Sequence, residues 1–227
     1  MGNTADPPQP PQLPQSLEPL TIERLERDAS CSEVELRGLA LAEQRASGLR
    51  LDGATLADVD LSASRLEGAG LDDVTVSGSN LANVRAPGAA LRRVCLTGCR
   101  LTGALLGEAE LRDVTMRDCR VDLASFSHSR LTRVSFEDSV LAQTDFLECQ
   151  LDSVRFHRCD LSKADFRGAR MRRCELRRSN LAGLEGLASL SGSAMELADI
   201  VDLAPALARE LGIEAIEEDG EDVPERR

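Results

Sequence analysis

Hydrophobic residues recur at every fifth position from Cys31 through Leu36, Leu41 and Ala46 to Leu176 and Leu181, without one insertion or deletion. All 31 of these positions are apolar. Two places before each runs a second series of mostly small residues, chiefly Ala, Ser, Cys, Val and Thr, with Gln44 as its one polar amide. The other three places of each five take Asp, Arg, Asn, Thr and Gly freely. An α-helix would carry a five-residue stripe steadily around its surface, and a simple strand alternates every two residues. Neither keeps this pattern buried over so long a stretch. A chain that turns a corner at each repeat does: four five-residue sides close a square coil, with the large residue pointing to the axis and the small one filling the corner. The same side then returns at every fourth repeat. Strand spacing of about 4.8 Å makes this a rod of roughly 7.5 coils and on the order of 35 Å.

The motifs "ADFRG" (164–168), "SNLAG" (179–183), "SNLAN" (79–83) and "CDLSK" (159–163) closely resemble the pentapeptide-repeat motif, alanine, then Asp or Asn, then Leu or Phe, then two free positions. The resemblance covers about two thirds of the chain. It implies an all-β fold, a right-handed quadrilateral β-helix, here over residues 31–183. The expected ends are short α-helical caps: residues 20–30 after a disordered Pro/Gln-rich arm (1–19), and residues 184–213 before an acidic flexible tail (214–227). Leu20, Ile22 and Leu25 suggest the first helix. In the second, Ser193 is the expected N-cap, Leu197, Ile200, Val201 and Leu203 lie on the apolar face, and Pro205 is a break or kink. Similar proteins use such a helix to form a twofold dimer, so these four residues are the expected cap or homodimer contact.

Sorted by the 20-residue period, the five Phe fall on two opposite sides: Phe126, Phe146 and Phe166 on one, Phe136 and Phe156 on the other. Rings from facing walls should interleave along the axis. Leu101 and Leu111 continue the central line into a half packed with Leu, Val and Ala, which, with Ala46 and Ala86 at central positions and Gln44 beside them, should be the looser end. Ten glycines sit two places after a central residue, where a corner needs backbone freedom.

The formal charge of −12 lies in the ends, because residues 31–181 hold 22 acidic and 22 basic residues. Within the coil, residues 51–90 are acidic and residues 155–178 carry nine bases against Asp160, Asp165 and Glu175. Arg155, Arg158, Arg172, Arg173, Arg177 and Arg178 cluster there. They are the expected anionic docking site for a partner or for the protein's own acidic tail, against the bland reading of a solvated face with local ion pairs.

Catalysis finds no support in the sequence. His128 and His157, the only histidines, lie on different sides of the coil, and a catalytic base needs a nucleophile within reach. Five of the seven cysteines occupy the small inward position, and no Cys-x-x-Cys pair offers zinc ligands. No cofactor is expected. No apolar run approaches the length of a membrane span, and the odd cysteine count without a signal-like start points to a reduced, cytoplasmic setting. The expected function is a non-enzymatic protein-interaction module whose partner the sequence does not name. Several similar proteins protect DNA gyrase by imitating duplex DNA, which makes topoisomerase binding the alternative. A neutral coil with a basic end argues against it, and the lack of exposed aromatics argues against direct nucleic-acid binding.

Overall fold

A computed structural model describes residues 5–214. Through the length of the coil its strands pair in parallel, each with the strand one turn before and one turn after. Arg50–Asp52 is followed by the long strands Gly70–Ser77, Ala90–Thr97, Glu110–Arg117, Arg130–Glu137 and Gln150–His157, each directly above the one before. Leu71 pairs with Leu91, Leu91 with Leu111, and Leu111 with Leu131. Isolated bridges such as Arg100 to Arg120 and Asp145 to Asp165 keep the same step on the two remaining sides. The chain is therefore a four-sided β-helix in the expected register. Of the 31 central residues, all but Cys31, Leu71 and Leu81 are buried, and those three pack against the core from partly covered positions.

The five phenylalanines interleave as their period requires. Phe126, Phe146 and Phe166 stack with ring centroids 5.4 and 4.8 Å apart, Phe136 and Phe156 stack at 5.2 Å, and neighbours across the axis meet edge to face at 5.7–6.2 Å. Both are favourable arrangements of the aromatic quadrupole. The other half is looser, as expected: Leu66, Val76, Val84, Leu96, Leu106 and Met116 are among the residues lining an apolar internal void of about 80 Å³.

Corners are made by backbone more than by residue type. The residue two after each centre has positive φ, whether glycine (Gly98, 62°) or not (Asp118, 53°; Leu123, 58°). The pairing of four strand sides per coil holds these residues in the left-handed region against its usual cost.

The N-terminal end departs from the expected helix, whereas the C-terminal helix forms but starts later than expected. Residues 20–29 form no helix; Leu25 is buried, Leu20 and Ile22 pack on the core, and the chain follows the coil's own path, with the Asp28 N–H donating to Ser47 O. Capping is achieved, but by an incomplete coil. So short a helix is marginal alone, whereas the exposed edge of the first coil offers ready-made backbone partners. Gln44 belongs to this cap, since its Oε1 accepts the Leu25 N–H at 2.9 Å.

At the other end the next central position after Leu181 is Gly186. Its φ of 76° takes the chain off the path of the coil into a short 3-10 segment, Leu187–Leu190, and a Cβ there would stand 2.4 Å from Arg167 N, so this turn admits only glycine. Ser193 is not a helix cap. It begins a strand, Ser193–Met195, whose pairing of Ser193 with Cys174 falls one position short of a full coil, and the helix α1 (Leu197–Glu210) starts only after the extended Glu196. Pro205 lies within α1 and does not end it. The acidic tail lies, except for Glu214, outside the described residues.

The expected disordered arm is also corrected. Residues 5–17 run extended along one corner of the rod, against the direction in which the coils advance. The Ala5 N–H donates to Glu175 Oε1 at 2.8 Å, Gln9 to Asp113 Oδ1 at 3.1 Å and Gln12 to Asp73 Oδ1 at 2.8 Å. Glu18–Pro19 then pairs with Val34–Glu35 to enter the first coil. Poverty in large apolar side chains does not free this segment, because its contacts are backbone N–H groups on carboxylates and proline rings on the wall.

Candidate interaction surface

The charged surface is arranged so that each coil neutralises the next. Arg93 Nε lies 2.6 Å from Asp73 Oδ1, Arg133 Nε 2.6 Å from Asp113 Oδ1, and Arg117 Nε 3.0 Å from Glu137 Oε2, each pair one coil apart in its column. The Arg93 hydrogen bonds hold Asp73 below the usual carboxylate range. Burial alone would raise Asp113, but the Arg133 bonds and the Gln9 N–H outweigh it, and the group is also lowered. Both are thus ionised acceptors at neutral pH. Asp52, Asp72 and Asp73 bring carboxylate oxygens within 4.8 Å of one another, yet Arg92 and Arg93 already engage Asp72 and Asp73.

The six arginines of the basic end are placed together but are not free. Arg158 forms a two-pronged pair with Asp138. Arg172 and Arg173 converge on Asp152, at 3.7 and 2.7 Å, and Arg173 also reaches Asp6 at 3.2 Å. Arg177 pairs with Glu175 at 3.1 Å, and Arg178 lies 3.7 Å from Glu196. Arg155 donates to the Ala5 carbonyl. Sequence spacing showed that these arginines share an end; it did not show that the coil beneath, Glu196 just before α1, and the arm supply acceptors. Most of the pairs are exposed and contribute little stability each. Their consequence is that most of these guanidinium groups have a carboxylate neighbour.

The inward cysteines are part of the core. Cys99, Cys119, Cys149, Cys159 and Cys174 are buried, and each thiol faces a carbonyl of the preceding coil, as Cys149 does to Phe126 O at 2.9 Å. Ser129 and Thr144 make the same contact to Leu106 and Val121. Burial pushes Cys149 up to about 12 and Cys159 up to about 11, which keeps both protonated. His128 Nδ1 lies 3.4 Å from Glu148 Oε2 on an exposed corner, and His157 lies beside Arg158.

Helix α1 docks by one side only. Leu203 is buried, and Ala206 and Leu207 pack on the core. Leu197, Ile200 and Val201 face outward, at 75%, 43% and 61% exposure, and Leu211 and Ile213, just past the helix end, are exposed as well. The four residues expected to share one face are therefore divided between the rod and the outside. No helix among the described residues is long and apolar enough to cross a membrane.

Two family models match the chain: the pentapeptide repeat region over residues 122–185, and pentapeptide repeats (8 copies) over 69–107 and 95–133. Together they span more than half of the sequence. The chain belongs to the pentapeptide-repeat family. Among solved structures it is similar to HetL, a pentapeptide-repeat protein involved in heterocyst differentiation regulation in the cyanobacterium Nostoc sp. strain PCC 7120. That match has 20% identity and a TM-score of 0.48, and covers 76% of this chain and 92% of HetL. It is also similar to QnrB1, a plasmid-mediated fluoroquinolone resistance protein, in a trypsin-treated form, with 19% identity, a TM-score of 0.45, and coverage of 88% and 97%. Such likenesses concern the fold alone. No curated protein matches the chain.

Proposed function

We propose that this pentapeptide-repeat rod is a non-catalytic interaction protein that assembles in pairs through the outer face of α1 and presents its stiff sides to a protein partner. The observation that carries this reading is the division of α1: Leu203 holds the helix to the rod, while Leu197, Ile200 and Val201 on the helix, and Leu211 and Ile213 just after it, are apolar side chains left exposed. A group of exposed apolar side chains on one element marks an association site, and the same helix face on two copies related by a twofold axis is self-complementary. The rod's interior is apolar and holds only a small void among the described residues, and its surface charges pair between coils, which suits a docking face better than a reaction cleft.

Light scattering after size exclusion is expected to show a dimer for the native chain and a monomer for Val201→Glu, with unchanged circular dichroism because Val201 supports no core contact. A native chain that is monomeric at tens of micromolar, an order of magnitude typical of weak interfaces, would remove the dimer from the reading. Imitation of DNA needs dense negative charge along the rod, and the interleaved arginines neutralise it. A gyrase supercoiling assay with quinolone is accordingly expected to show no protection. Protection at low stoichiometry would instead make gyrase the partner.

A further inference from the structure

The arm reads as a ligand laid in a site built to fit it. Its burial repeats at every third position: Ala5, Pro8, Pro11, Pro14 and Leu17 turn toward the rod, while the residues between them are exposed. A period of three is that of polyproline II, and prolines at 7, 8, 10, 11 and 14 hold φ where that helix needs it. One such turn of polyproline II rises about 9.3 Å. Two coils of a β-helix rise about 9.6 Å. The two lattices are commensurate, and the hydrogen bonds show it: one turn along the arm, from Gln9 to Gln12, moves two coils down the rod, from Asp113 to Asp73.

The corner column carries the matching alternation. From Gly53 it reads Asp73, Arg93, Asp113, Arg133, Ser153, Arg173, so two carboxylates lie two coils apart, the arginine above each fixes its orientation by a two-pronged pair, and a serine follows at the next such step. Gly53 makes room: a Cβ there would stand 3.2 Å from Pro14 Cδ. The donors are N–H groups of the two glutamines, and proline occupies the inward position immediately before each. Nothing in the five-residue repeat requires acids and bases to alternate by coil in this one column.

We propose that this corner is a binding site for a polyproline-II segment with a three-residue period, and that the chain's own residues 5–17 are its resident ligand. The site reads backbone N–H groups at three-residue intervals through Asp113 and Asp73, with Glu175 fixing the far end through Ala5. It stands apart from the dimer patch on α1 and does not depend on it.

Amide exchange on the full-length protein tests the seating. The N–H groups of Ala5, Gln9 and Gln12 are expected to exchange at least about tenfold more slowly than those of Asp6 and Leu13 in the same arm. Recognition is tested with the double variant Gln9→Pro, Gln12→Pro, which keeps polyproline II and removes both donors. Its Ala5 amide should lose protection while amides of the Phe-packed coils keep theirs. A labelled synthetic peptide of residues 5–20 should then bind this variant saturably and bind the native protein at least about tenfold more weakly, because the tethered arm competes at high effective concentration. A peptide of the same composition with the three-residue period scrambled should not bind. Unprotected Gln9 and Gln12 amides in the native chain, persistent Ala5 protection in the variant, no peptide binding to the variant, or equal binding of the scrambled peptide would each overturn the proposal.

Discussion

Leu101→Arg is expected to abolish the folded rod, whereas Arg100→Ala, at the neighbouring position, should leave it intact. Leu101 is 3% exposed and points to the axis between the coils of Leu81 and Val121; Arg100 faces water on the outside of the same wall. A guanidinium at position 101 would sit among aliphatic side chains with no carboxylate in reach. The effective cost of such an unpaired buried charge is several kcal/mol, set against a total stability of about 5–15 kcal/mol for a domain. The damage should spread, because every coil is held only by the coils above and below it. Far-ultraviolet circular dichroism and urea titration should show a cooperative β-rich fold for the native chain and Arg100→Ala, and none for Leu101→Arg. Equal stability of the two variants would mean that position 101 is not inside.

The second large effect is expected at Phe146. Its ring is fully buried, stacked between Phe126 and Phe166 and edge-on to Phe136 and Phe156, so it is the one phenylalanine with four aromatic neighbours. Truncation to alanine removes the ring's transfer energy and leaves a cavity that the β-helix walls, fixed by their ladders, cannot close. The expected loss is about 3–5 kcal/mol, including ring pairs of about 0.5–1.5 kcal/mol each. Leu66→Ala, beside the existing void, should cost near the lower end of the aliphatic range, about 2 kcal/mol, since its neighbours are already incompletely packed. Chemical denaturation of both variants checks the order. A smaller loss at Phe146 than at Leu66 would show that the aromatic column is not the stiffer half.

The rod was legible from residues 31–181 because its determinants are local and repeated: the inward pair of positions in each five fixes the register, and the register fixes which phenylalanines meet. The ends were less legible because their determinants are tertiary. Leu20, Ile22 and Leu25, with charges between them, suggest a short helix, but the unpaired edge of the first coil competes for the backbone better than a marginal helix does. Ser193 looks like a cap, yet the open edge at Cys174–Leu176 draws it into a strand. The arm carries its own signal, a Pro-Gln step at 8–9, 11–12 and 14–15. Composition masks this period, and its meaning depends on the acid–base alternation of a surface remote in sequence, at Asp73 and Asp113. That the six arginines lie at one end is legible in the spacing, but acceptors such as Asp138 and Asp152 belong to a neighbouring coil and only the stacking shows that they meet.

Distances between spin labels carried by unnatural amino acids, which avoid the seven native cysteines, test the stacking most directly. Labels at Ser62 and Ala142 are four coils apart in one outward column, and labels at Ser62 and Ala182 are six. The separations are predicted at about 19 and about 29 Å, increasing by about 4.8 Å for every coil. Separations that are broad, or that fail to increase in proportion to the number of coils between the labels, would contradict the square tower on which the whole account stands.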